Sequence, residues 1–337
     1  MNIADRMYRC ISYGAYGDAF GSDLEMMSLD EIKTKYGEQG KQKPNPDDAI
    51  TDDTQMTLFT LEGLVLSQGK SMDERVQIMY ESYLRWFNTQ YGPGAIDEKI
   101  AHVGELWKID DLYVMRAPGH ACIDSLRSGC MGTLDKQYNE SLGNGTVMRS
   151  APFGFLINEP PEYVFELSMR CAAITHGHKE AWRSAGVFSL IIFFLLRDNM
   201  DVKTALLSAL EFYKSYLERI GELMTLPLNE TYNYVYNAIT CADTKGKSAF
   251  RTFYGAFGDA WIGPNALGLA LYHVLSGDET YDCINHAANI NGDSDTVASI
   301  AGNIFGAQTE IPNHISCSIL DAYKGLTINY ISSISPK

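Results

Sequence analysis

Apolar residues along this chain recur mostly at intervals of three and four, the spacing that lines one face of a helix. Between 56 and 66, Met56, Phe59, Leu61, Leu64 and Val65 fall near one face. The stretch 71–88 opens on a serine and an acidic first turn, a helix start that carries its own cap. The same spacing predicts helices over roughly 3–20, 160–174, 179–197, 200–222, 263–276, 279–289 and 295–307. The longest apolar run, Ala185 to Leu196, is interrupted only by Gly186 and Ser189. It is too short to span a bilayer and predicts a buried core helix. Strand signal is thin: β-branched enrichment is confined to the short stretch 325–333, the one strand candidate. Segments 37–50, 89–120 and 132–146 are turn-rich and predict loops. No repeat, low-complexity tract or Ser/Gly linker divides the chain. The pattern therefore predicts an all-α fold, with residues 1–337 in a single domain.

Composition narrows the partners. The 337 residues are 45% hydrophobic, enough for a sizeable core. The formal net charge is −15, so the surface repels nucleic-acid backbones and anionic membranes, and neither is an expected partner. A small anion remains an acceptable ligand if metal ions or backbone amides offset the field locally. Seven cysteines, none in Cys-x-x-Cys spacing, predict reduced thiols in a cytoplasmic protein, without a disulfide framework or a zinc site. The first residues lack the basic-then-apolar pattern of a signal peptide.

Two acidic clusters then change the picture. Thr51-Asp52-Asp53-Thr54 and Asp293-Ser294-Asp295-Thr296 each precede a helical pattern. One acid suffices to cap a helix and complement its dipole, yet each segment carries two with a threonine beside them. Four carboxylates gathered at two helix starts would repel one another unless cations intervened. Two divalent ions would balance them, and oxygen-only ligation favours Mg²⁺ or Mn²⁺ over zinc. Gly143-Asn144-Gly145, ahead of an apolar helical pattern, predicts a helix start whose amides point one way, a geometry that cradles phosphate. Arg149, on the turns that follow, is either a buried salt-bridge partner or a brace for that loop, with bracing preferred. Thr175-His176-Gly177-His178 lies at the junction of two helices, and its histidines are candidates for ligand contact. Glu25 follows the glycines at 14, 17 and 21 and, taken alone, reads as a solvated surface acid.

Together and in order, these segments resemble the ADP-ribosylglycohydrolase family. The matching stretches are GAYGDAFGSDLE (14–25), TDDTQMTLFTLEGL (51–64), RAPG (116–119), GNGTVMRSAPFGF (143–155), THGHKEA (175–181), WIGPNALGLALY (261–272) and NGDSDTVASIAGNIFGA (291–307). The resemblance implies an orthogonal helical bundle with a binuclear Mg²⁺ or Mn²⁺ centre that holds the ribose hydroxyls and a bridging water. Its ligands would be Thr51, Asp52, Asp53, Asp293, Asp295 and Thr296. Glu25 would be the mobile acid beside the scissile bond, and either Asp53 or Asp295 the carboxylate that activates water. Gly119, Gly143, Asn144, Gly145, Thr146, Val147 and His176 would line the ADP-ribose pocket. The implied activity is hydrolysis of ADP-ribose from a modified protein, with arginine first among linkages and serine-linked or O-acetyl-ADP-ribose as alternatives. A non-catalytic ADP-ribose-binding protein on the same fold is the other reading. Two departures stand out. Leu142 occupies a place where some relatives have an aromatic residue for the adenine, which leaves either Tyr138 as a substitute or an adenine held loosely. Gly258-Asp259-Ala260-Trp261 stands where many bacterial relatives have Gly-Glu-Gly-Trp. His178 has no general counterpart.

Overall fold

The computed structural model describes residues 2–222, 229–245, 258–277, 282–308 and 323–335. Among them there is no strand; one isolated antiparallel bridge joins Gly143 to Ile262. The α-helices are α1 (Ile3–Gly21), α2 (Leu29–Tyr36), α3 (Asp52–Leu66), α4 (Met72–Tyr91), α5 (Glu98–Ala101), α6 (His120–Arg127), α7 (Pro161–Ala173), α8 (Lys179–Asp198), α9 (Val202–Arg219), α10 (Glu230–Lys245), α11 (Gly263–Ser276), α12 (Asp282–Ala288), α13 (Ser294–Ala307) and α14 (Lys324–Ile334). The all-α expectation holds. Caps set several of the starts. Ser71 and Glu74 form a reciprocal capping box on α4, and Ser28 and Glu31 do the same on α2. The apolar run 185–196 lies within α8, buried around its whole circumference and packed against α7, α9 and α11.

Three expectations are corrected. Residues 325–333 are helical. Thr327, Tyr330 and Ile331 are buried at i, i+3 and i+4, and α14 lies on α3 and α1. A lone β-prone stretch has no strand to pair with, whereas a helix satisfies its own backbone. The segment 89–120 is less irregular than expected: α4 runs to Tyr91, α5 and two 3-10 turns follow, and α6 begins at His120. Gly143-Asn144-Gly145 does not open an α-helix. A single 3-10 turn, Asn144–Thr146, is followed by another over Ala151–Phe155. Pro152 and Gly154 in the second turn disfavour a longer helix.

The pairing of α1 with α13 is what brings the chain's two ends together. They run antiparallel with almost no side chain between them. A Cβ on Gly21 would stand 2.5 Å from Cα of Asp295, and one on Gly302 would stand 2.1 Å from the Tyr13 carbonyl. Any larger residue at either place forces the helices apart. Buried apolar residues from the first helix to the last form one continuous core.

Candidate active site

The acidic clusters meet. Thr51 caps α3 by accepting from the Asp53 amide at 3.3 Å, and Asp293 caps α13 by accepting from the Thr296 amide at 3.4 Å. The two helix starts touch where the Thr296 hydroxyl donates to Asp53 Oδ1 at 3.3 Å. Asp52, Asp53, Asp293 and Asp295 are all buried. Asp52 Oδ2 accepts from the Gly119 amide at 3.1 Å, and the Asp52 amide donates to the Arg116 carbonyl at 3.0 Å, which anchors the 116–119 turn. Asp293 Oδ2 accepts from Asn144 Nδ2 at 2.7 Å, and Asp295 Oδ1 accepts from the Thr296 amide at 3.0 Å. Asp53 Oδ2 is buried and has no partner.

Electrostatics follow from that crowding. Burial pushes the Asp53 carboxyl well above the usual range, and the charges of Asp18, Asp52 and Asp293 push it further. Asp52 and Asp295 are raised the same way, burial first and neighbouring carboxylates after it. Asp293 is raised by burial against the pull of its hydrogen bonds.

Glu25 is no free surface acid. It is half-buried, and burial with the charges of Asp293 and Asp18 lifts its pKa to about 7. The turn that carries it is pinned to the α13 entry. The Met26 amide donates to the Gly292 carbonyl at 3.1 Å, and the Gly292 amide donates to the Met27 carbonyl at 3.3 Å. Met26 takes φ of 67°, a conformation costly for a residue with a Cβ.

A fifth acid escaped the sequence reading. Asp18 of α1 is fully buried and accepts from the amides of Thr51 at 3.0 Å and Thr54 at 3.1 Å, and from the Thr54 hydroxyl. Burial raises it to about 6, against the opposing pull of those bonds. Its only sequence signal is a carboxylate inside a glycine-rich helix, with no basic neighbour in the sequence.

The glycine loop sits beside the acids. Asn144 ties it down, donating from Nδ2 to the Ala260 carbonyl at 2.8 Å as well as to Asp293, and from its amide to the Trp261 carbonyl at 3.2 Å. Ala260 lies at φ of 65°, so the position where many relatives carry glycine keeps a left-handed backbone here despite its methyl group. The Thr146 hydroxyl donates to the Ala181 carbonyl at 2.7 Å, and Val147 is in the core. Gly145 and His176 are close: a Cβ on Gly145 would lie 3.2 Å from the ring's Cε1. His176 is buried beneath the loop, and Gly119 has its amide engaged by Asp52. Arg149 is buried, and its guanidinium donates to Cys122 Sγ at 3.2 Å and to Thr175 Oγ1 at 2.7 Å rather than to the loop itself. His178 caps α8, its Nδ1 accepting from the Glu180 amide at 3.2 Å. Tyr138 is half-exposed with the Lys136 ammonium 5.2 Å from its ring centre.

The donor set fits a hard divalent cation. It is all oxygen, it is buried, and one carboxylate oxygen is left without a partner. The six-ligand cage is nevertheless not preassembled. Among the described residues, no three Asp, Glu, His or Cys side chains converge as a metal-ligand set. Several of the oxygens are turned to backbone amides instead.

Comparison with known proteins agrees with this architecture. The family model for ADP-ribosylglycohydrolase matches residues 1–327. An uncharacterized protein of Archaeoglobus fulgidus is 23% identical over 320 residues, covering 91% of this chain and 88% of its own length. The ADP-ribosylarginine hydrolase Tri1 of Serratia proteamaculans is 22% identical over 293 residues, covering 87% of this chain and 68% of its own. Among solved structures, an ADP-ribosylglycohydrolase-related protein complex superimposes with a TM-score of 0.61 at 20% identity, covering 98% of this chain and 97% of that one.

Proposed function

This chain belongs to the ADP-ribosylglycohydrolase family, and from that premise we propose that it hydrolyses the glycosidic bond between ADP-ribose and a modified protein side chain, arginine first, with two Mg²⁺ or Mn²⁺ ions. The observation that carries the reading is the contact between Thr296 and Asp53, which joins four buried carboxylates from the two ends of the chain at one place. Thr51, Asp52, Asp53, Asp293, Asp295 and Thr296 are the residues to hold the cations. When bound, such ions neutralise the acids, anchor hydroxyl oxygens and make a water a better nucleophile near neutral pH.

The residues supply the rest. Cleavage at the ribose passes through an oxocarbenium-like centre, which a ring of carboxylates stabilises. Asp53, with a free oxygen, orients the attacking water. Glu25, its proton affinity raised toward neutrality, holds a proton beside the leaving group. The Asn144 loop receives the diphosphate without bringing a lysine. Arginine is placed first because the Serratia relative is an ADP-ribosylarginine hydrolase, and because a departing guanidinium is welcome among acids.

Release of ADP-ribose from arginine-, serine- and acetyl-linked conjugates, with Mg²⁺, with Mn²⁺ and with EDTA, tests this. The expected result is cation-dependent release of intact ADP-ribose, fastest from arginine and abolished by Asp52→Asn. Glu25→Ala should slow release more than it weakens ADP-ribose binding. AMP and ribose phosphate as products would mean diphosphate cleavage. Tight ADP-ribose binding without release from any conjugate would mean a binding protein.

A further inference from the structure

Arg149 is a buried cation with no acid beside it. It is 1% exposed. It donates to Cys122 Sγ at 3.2 Å and to Thr175 Oγ1 at 2.7 Å, its guanidinium carbon lies 4.4 Å from the Tyr83 ring centre, and no described acid pairs with it. A buried charge left uncompensated is costly, so it needs an anion or hydrogen bonds that pass its polarity on.

Such a chain leads upward. A guanidinium only donates, so Thr175 Oγ1 accepts from Arg149. The hydroxyl keeps one proton and a second lone pair, and its remaining neighbours are the Cys122 thiol and His176 Nδ1 at 2.9 Å. When that proton goes to Nδ1, the single imidazole proton is left on Nε2. Burial and the Arg149 charge lower the His176 pKa to about 3, so the ring is neutral. Nε2 lies against the glycine loop. A Cβ on Gly143 would stand 3.2 Å from it, and one on Gly145 would stand 3.4 Å away. Among the described residues nothing accepts from Nε2 or from the Gly145 amide, while the Thr146 amide turns back toward the Gly143 carbonyl in the 3-10 turn.

We propose that Arg149 and Thr175 are positioning residues that hold His176 as an Nε2–H donor against Gly143 and Gly145, and so turn the glycine loop into a receptor for the diphosphate of ADP-ribose. The inference rests on the reading of the site given above. Two donors, the His176 Nε2–H and the Gly145 amide, then meet the anion, while the compensating charge stays one layer below, where it cannot pair with the neighbouring carboxylates.

The test is the imidazole tautomer, read by ¹⁵N NMR of the full-length protein, together with ADP-ribose and Mn²⁺ binding by calorimetry. Wild type should show Nε2–H. Thr175→Ser keeps the hydroxyl and should keep both the tautomer and the affinity to within about twofold. Thr175→Val removes the relay, should mix the tautomers and should weaken ADP-ribose about tenfold or more, with Mn²⁺ binding unchanged. Should the valine variant fail to fold, His176→Gln, which keeps a donor, should bind ADP-ribose more tightly than His176→Leu. An Nδ1–H tautomer in wild type overturns the proposal. So does Thr175→Val at full affinity, or equal losses for serine and valine. Wild type that shows Nε2–H and binds Mn²⁺ but ignores ADP-ribose refutes the reading of the ligand, and the relay's purpose with it.

Discussion

Replacing Asp53 by asparagine is expected to stabilise the cation-free protein. Asp53 is 2% exposed, and asparagine keeps the Oδ1 that accepts from Thr296. At a pH above its raised pKa, what disappears is a buried charge whose Oδ2 has no partner and which Asp18, Asp52 and Asp293 all repel. At an effective dielectric of ~20, one like charge at ~8 Å contributes about 2 kcal/mol. The loss of the acid's favourable interaction with the α3 dipole offsets about 0.3–1 kcal/mol of this. The net gain from one such neighbour is therefore ~1–2 kcal/mol. With ~2.1 cal/mol/K of unfolding entropy per residue, a chain this long shifts by about 1.4 °C per kcal/mol, so Tm should rise ~1.5–3 °C.

Cations should invert the order. Calorimetric melting of both proteins in EDTA and in Mn²⁺ is the assay. A cation at a hundred times its Kd stabilises the wild type by about 2.7 kcal/mol, or ~4 °C on the same scale. Asp53→Asn should show little of that rise. If these acids only capped two helices, the substitution would lower Tm in EDTA and neither protein would respond to Mn²⁺. That pair of results would refute the cation site.

Two further outcomes follow from the same geometry. In EDTA, the folded protein should lose stability as pH rises from 5 to 7.5. Asp18 is raised from 3.8 to about 6, so the native state binds more protons than the unfolded chain through that window, and the slope of stability against pH is negative; Asp18 alone contributes about 1.4 kcal/mol across it. Urea unfolding at the two pH values checks the sign. Gly21→Ala should cost ~1–3 kcal/mol and weaken Mn²⁺ binding, because its methyl would meet the Asp295 backbone at 2.5 Å. Gly325→Ala, in α14 where nothing lies within 4 Å, should cost no stability and leave Mn²⁺ binding unchanged.

What could be read in the sequence depended on the range of each signal. The long helices were legible because their apolar spacing is local; α8 and α13 follow it closely. The acid clusters were legible because they stand out by redundancy within a few residues. α14 was misread because β-branched enrichment describes a preference, while Thr327, Tyr330 and Ile331 are held by α1 and α3, which lie far away in sequence. Lys41 was invisible for the same reason. It sits in the turn-rich 37–50 loop, yet its ammonium is fully buried between the Phe20 carbonyl, Asp23 and Asp48. The role of His178 emerged only with the α8 boundary, since a cap is defined by where the helix begins.

Asp18 shows why the clusters can be both helix starts and something more. An isolated helix start must satisfy its own first amides, and its acids usually do so. Here a carboxylate from α1 takes the Thr51 and Thr54 amides. That relieves Asp52 and Asp53 of the task, leaving Asp52 with the Gly119 amide and Asp53 with an oxygen bonded to nothing. The arrangement places a fifth carboxylate beside four that already repel one another, which no scheme of capping alone would favour. It becomes reasonable when the released oxygens serve another purpose and positive charge arrives to balance them. Asp18, which itself need touch no cation, would then set how firmly α3 presents its acids.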